Sequence, residues 1–98
     1  MPTYEALPRF TTDLDHLTPT QRRRFHQAAT AFVDDLRTDR GRFRAGLRVT
    51  GVRSAPSTFE LTWAPNGRVT WSYSRARIAG EQHVIWRRIG SHEILVRP

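Results

Sequence analysis

Apolar positions change their period once along this chain, near Gly46, and the change divides it into a helical half and a sheet half. In the first half Phe25, Ala28, Ala29, Phe32, Val33 and Leu36 recur at i, i+3, i+4, i+7, i+8 and i+11, one face of an amphipathic helix. Thr18-Pro19-Thr20-Gln21 predicts where that helix begins. Thr18 can cap it, Pro19 suits the first helical position because an N–H there would be unpaired anyway, and Gln21 can reach back to complete a capping box. Gly41 predicts its stop, since glycine tolerates the left-handed backbone that commonly closes a helix. Upstream, "RFTTDLDHL" predicts a shorter helix starting near Thr12. Two helices joined within a few residues make a helical hairpin.

After Gly46 the period is two. Leu47 and Val49 alternate with Arg48 and Thr50 in "LRVTGV". Phe59, Leu61 and Trp63 alternate with Glu60 and Thr62, and Val69, Trp71 and Tyr73 with Arg68, Thr70 and Ser72. A fourth run, "HVIWRRIG", follows, completing an antiparallel meander with one face packed on the helices. The turn "APNGR" bears on the register. Asn66-Gly67 as a two-residue turn would set the apolar residues of one strand against the polar residues of the next. Pro65-Asn66-Gly67 as a three-residue loop opposes Trp63 to Val69, Leu61 to Trp71 and Phe59 to Tyr73, and the apolar faces coincide. The other face then gathers Glu60, Thr62, Arg68, Thr70 and Ser72, with Arg48 and Thr50 beside them. The expected fold is α+β: a helical hairpin packed on one face of a four-stranded, mainly antiparallel twisted sheet.

Composition narrows the classes of function. A chain of 98 residues is one domain, 1–98, with a modest core. With no cysteine there is neither a disulfide framework nor a thiolate metal site, and the four histidines are scattered, so neither metal nor cofactor is expected. "MPTYEALPRF" lacks the basic flank and apolar run of a secretory signal, and no apolar stretch approaches the roughly 20 residues that span a bilayer. A cytoplasmic location away from membranes is expected. The net charge is +7, and all 16 basic residues are arginine. Arginine presents a planar fork to phosphate or carboxylate, so a domain this basic is suited to RNA, DNA or an acidic protein segment.

The last strand raises a specific question. Arg87 and Arg88 stand side by side at its end, followed by Gly90-Ser91-His92. Simple alternation places the two arginines on opposite faces, so that one reaches the polar side, and Gly90 lets the backbone turn His92 over the sheet end beside Arg68. His83 reads as the start of that strand, His16 and His26 as solvated helix positions, and Trp63 and Trp86 as core. Arg22, Arg23 and Arg24 form a basic run early in the long helix.

This order of elements resembles the RelE/ParE toxin superfamily of bacterial toxin–antitoxin modules. "RFTTDLDHL" is similar to the first-helix stretch of that family, and "FELTW", "GRVTWSY" and "HVIWRRIGSHEIL" to its last three strands, with "IGSH" closest to the HigB type. The resemblance runs from about Tyr4 to Leu95. It implies an endoribonuclease that cuts mRNA on the ribosome through the 2′-hydroxyl without a metal and is neutralised by an acidic antitoxin. By motif position it implies Glu60, Arg68 and His92 as catalytic residues; Arg48, Arg53, Arg87 and Arg88 are the arginines expected to bind RNA. Two departures stand out: Glu60 and Thr62 replace frequent lysines, and Ile94 and Leu95 occupy the region where many members carry a tyrosine.

These residue types suit the reaction. Attack by a 2′-oxygen needs a base, an acid for the leaving 5′-oxygen and a cation for the phosphorane. A carboxylate such as Glu60 can be the base, an imidazole such as His92 the acid, and Arg68 the clamp. Two alternatives use the same fold without hydrolysis: a ParE-like inhibitor of a DNA topoisomerase, and a non-catalytic module that binds RNA or protein.

Overall fold

The structure is a computed structural model and describes residues 2–39 and 42–98. The elements are β1 (Thr3–Ala6), α1 (Pro8–Asp15), α2 (Pro19–Asp39), a 3-10 turn at Ala45–Leu47, β2 (Thr50–Gly51), β3 (Thr58–Ala64), β4 (Gly67–Ser74), β5 (His83–Ser91) and a 3-10 helix at His92–Val96. The start of α2 is the expected capping box: the Gln21 N–H donates to Thr18 Oγ1 at 3.2 Å and the Thr18 N–H to Gln21 Oε1 at 2.8 Å. The stop assigned to Gly41 lies outside the described residues. Helix α1 begins at Pro8 rather than near Thr12, because proline supplies a preset φ at a first helical position. Thr12 lies inside it and returns its hydroxyl to the Pro8 carbonyl at 3.1 Å.

The sheet has five strands, not four, in the order β1-β5-β4-β3-β2. β1 runs parallel to β5 and the other pairs are antiparallel. β1 was invisible to pattern reading because three of its four residues are exposed and it has no alternating apolar set. Its partners explain why it joins the sheet. Thr3 stands opposite His83, whose Nδ1 lies 2.7 Å from Thr3 Oγ1 and whose Nε2 lies 2.9 Å from Glu5 Oε1. The bond to His83, and then the one to Arg77, hold the Glu5 carboxyl below its ordinary range.

Three local expectations are corrected. The strand read across "LRVTGV" shrinks to Thr50–Gly51, because Ala45–Leu47 turns and Arg48 takes a left-handed backbone at φ 49°. The β3–β4 loop is a two-residue turn, Pro65-Asn66, with Ala64 opposite Gly67 and Trp63 bulged out of register. Leu61 therefore opposes Val69, and Phe59 opposes Trp71. The shift from the expected register is two residues, so each side chain keeps its face. Trp63 causes the bulge: its indole lies across Gly67, and a Cβ there would sit 2.6 Å from the ring. The third correction is in β5. Thr70 pairs with Arg88 but Trp71 pairs with Trp86, so Arg87 is the extra residue of a bulge. Trp86 and Ile89 both enter the core, and the two arginines between them are not on opposite faces.

Phe10, Phe25, Phe32 and Leu36 of the helices meet Leu61, Val69, Trp71, Trp86 and Ile89 of the sheet. Trp71 is fully buried, edge-on to Phe32 with ring centroids 4.7 Å apart. Trp63 and Trp86 are core residues, as their positions suggested. β1 pairs with β5 only as far as Trp86, and α1 covers the edge beyond it, where Asp13 Oδ2 accepts the Ile89 N–H at 3.2 Å.

Candidate nucleic-acid interface

The face of the sheet away from the helices carries the polar set. Thr50, Glu60, Thr70 and Arg88 are register partners across it, and Thr62, Arg68 and Gly90 form the next row. Arg68 is thus diagonal to Glu60, with Nε 4.0 Å from Oε1, and both side chains are about four-fifths covered. Arg68 Nη1 also donates to its neighbour's carbonyl, Gly67 O, at 3.0 Å, which turns the guanidinium back along the strand. Thr70 is fully buried, and its Oγ1 accepts the Arg88 N–H at 3.1 Å, satisfying an amide at the bulge.

This face is not open throughout. The 3-10 helix His92–Val96 lies across it: Ile94 is buried against Gly90, where an added Cβ would stand 3.0 Å from Ile94 Cγ2. Gly90 serves close approach here. Ser91 caps the helix, its Oγ accepting the Glu93 N–H at 3.3 Å. Between this helix and the segment after β2 is a cleft of about 420 Å³, with Glu60, His92 and Arg53 on its surface and Val52 and Leu95 as apolar walls.

The structure therefore brings together Glu60, His92 and Arg53, with Arg68 beside Glu60. It does not bring Arg48 to them. Arg48 lines a separate groove of about 650 Å³ on the helix-bearing side, among Phe43, Phe59 and Tyr73. The two strand arginines also differ. Arg88 is committed to Asp13, with Nε to Oδ2 at 2.6 Å and Nη2 to Oδ1 at 3.0 Å, and this partner raises its pKa. Arg87 keeps a buried Nε that has no hydrogen-bond partner among the described residues. Asp13 escaped the sequence reading. Asp13 meets Arg88 across 75 residues, and neither period nor motif signals that meeting.

No family model matches the sequence, and no curated protein matches it. Solved structures do. YafQ of E. coli superposes with a TM-score of 0.65 at 11% identity, covering 97% of this chain and 98% of that one. A chain of the E. coli DinJ–YafQ toxin–antitoxin complex gives 0.63 at 11% identity, covering 96% of both chains. A RelB–RelE antitoxin–toxin complex from Methanococcus jannaschii gives 0.59 at 13% identity, covering 93% of both. The chain has the fold of the RelE/YafQ-type toxins. At these identities the likeness is one of fold: two helices on a mixed five-stranded sheet, matched almost end to end. In this chain the sheet face with Glu60 and Arg68 lies beside the C-terminal segment that begins at His92.

Proposed function

We propose that this protein is a toxin of a toxin–antitoxin module, an endoribonuclease that cleaves mRNA, acts on the ribosome in the cytoplasm and is neutralised by an acidic antitoxin. The observation that carries the reading is the meeting of Glu60 and His92, 32 positions apart in the chain, on one cleft with Arg53 and next to Arg68. The RelE/YafQ-type fold supports it, as does the net charge of +7.

In this mechanism Glu60 takes the proton of the 2′-hydroxyl, whose oxygen attacks the adjacent phosphorus. Arg68 and Arg53 lie against the non-bridging oxygens and stabilise the added negative charge. His92 gives its proton to the departing 5′-oxygen. The P–O5′ bond breaks as the P–O2′ bond forms, leaving a cyclic phosphate. Arg87, with donors to spare, takes a flanking phosphate. Among the described residues, no helix is long and apolar enough to cross a membrane.

Inducible expression followed by primer extension on cellular mRNA tests the proposal. New 5′ ends are expected with the wild type and not with His92→Ala. Poisoned cells with intact mRNA would replace it with the ParE-like reading, for which the apolar Ile94 in the region of the usual tyrosine is the favouring observation.

A further inference from the structure

Arg88, Asp13, Arg9 and Arg97 tie three distant parts of the chain into one knot. The Arg88 guanidinium grips the Asp13 carboxylate fork-on-fork, through Nε at 2.6 Å and Nη2 at 3.0 Å. Its Nη1 donates to the Arg97 carbonyl at 3.2 Å, and Arg9 of α1 donates to the same carbonyl at 3.1 Å. Asp13 Oδ2 accepts the Ile89 N–H as well. Helix α1, strand β5 and the chain's last residues therefore meet at one ion pair, both of whose side chains are about four-fifths covered.

Arg97 directly follows the 3-10 helix that begins with His92, and its N–H closes that helix on the Ile94 carbonyl at 3.0 Å. At its other end the helix is seated by Ser91 and by Ile94 on Gly90. A short 3-10 helix has poor hydrogen-bond geometry and little stability of its own, so its anchors decide where it sits. Arg88 cannot double as an RNA contact in this arrangement, because three of its five N–H donors are spent and the carboxylate fills the fork that a phosphate would use.

We propose that Asp13 is a positioning residue: with Arg88 and Arg9 it clasps the C-terminal segment to α1 and so sets His92 over the cleft that holds Glu60. The catalytic half of this proposal rests on the ribonuclease reading above; the structural half does not. Loosening the clasp leaves Arg53 and Arg68 in place, so RNA binding is retained while the acid loses its position. A displacement of about 1 Å at a reacting group costs on the order of 10²-fold in rate.

The test compares full-length wild type, Asp13→Asn and Arg9→Ala. Asp13→Asn keeps volume and loses the charge; Arg9→Ala leaves the Asp13–Arg88 pair intact and removes one bond to Arg97, so it remains informative if Asp13→Asn fails to fold. Hydrogen exchange at the Arg97 amide is read against amides of β3 and β4, and kcat and KM are measured on an RNA substrate. Asp13→Asn is expected to speed Arg97 exchange at least about tenfold with β3 and β4 unchanged, and to lower kcat about 10- to 100-fold with KM within about twofold. Arg9→Ala is expected to do the same more weakly. Unchanged Arg97 exchange in both variants overturns the clasp. Faster exchange with unchanged kcat overturns the positioning role. If the wild type cuts no RNA, the ribonuclease reading and the positioning role fall together, and the exchange comparison still decides the clasp.

Discussion

In the proposed mechanism His92 contributes an acid and Arg68 a fixed charge, and the two are expected to fail differently when removed. His92→Ala is expected to cut RNA cleavage by on the order of 10²–10⁴-fold while sparing RNA affinity, because it deletes a proton donor and no permanent charge. Arg68→Ala is expected to weaken both, since the phosphate clamp goes. Glu60→Gln is expected to slow cleavage and tighten binding, by removing a negative charge from a phosphate-facing surface. Single-turnover cleavage and equilibrium RNA binding on the three variants check this set; a His92→Ala protein as active as wild type removes His92 from the mechanism. Gly67 sets a purely structural requirement. Any Cβ there meets the Trp63 indole at 2.6 Å, so Gly67→Ala is expected to cost about 1–3 kcal/mol through overpacking, read as a lower denaturation midpoint. The need for glycine at this residue was legible as turn chemistry, but the cause was not. It is Trp63 folding across the turn rather than a left-handed backbone.

Helix α2 carries its own start signal. Thr18→Ala removes the acceptor of the Gln21 N–H and is expected to cost about 1 kcal/mol, measurable by urea denaturation. Near its other end Asp35 accepts the Arg44 backbone N–H and its Nε, both at 2.9 Å, and Nη2 at 2.7 Å. The side-chain bonds to Arg44, with the backbone bond next, lower the Asp35 pKa from 3.8 to about 2. A depressed carboxyl stabilises the fold at pH above its unfolded value and loses that contribution as pH falls through its folded value. The link between α2 and the segment at Arg44 is therefore expected to hold above about pH 4 and to open as pH falls towards 2. The Asp35 carboxyl shift, followed by NMR through acid titration, checks it; a midpoint near 4 would contradict it. α2, β3 and β4 were readable because each buries one regular stripe of side chains. β1 was not, and β2 was read too long: both are edge strands of four residues or fewer, held by backbone pairing and, in β1, by His83.

The whole molecule is a cation with its charges spread over several surfaces, and only part of that charge faces the cleft. If Arg53, Arg68 and Arg87 contact phosphates, about three counterions are released, and log K against log salt should fall with a slope of about −2 or steeper for single-stranded RNA. A flat response would assign the arginines to protein contacts instead. Arg48 separates the possibilities further. It faces the groove with Phe59 and Tyr73 on the other side of the sheet, so Arg48→Ala is expected to leave RNA cleavage unchanged.

By itself the sequence determined the two helices, the three long strands and the face that each side chain of β3 and β4 takes. Those features are local, because period-two and period-3.6 burial is written into neighbouring residues. Between β3 and β4 a register shift of two residues left every face correct. Tertiary structure alone decided the fate of Arg87 and Arg88. A bulge opposite Thr70 and Trp71 broke their alternation, and Asp13, 75 residues away, engaged one of them. It also decided that Arg48 leaves the polar face and that the C-terminal 3-10 helix closes over it, bringing His92 to Glu60. These outcomes depend on which distant groups satisfy buried amides and guanidiniums, and that is settled only when the whole chain has packed.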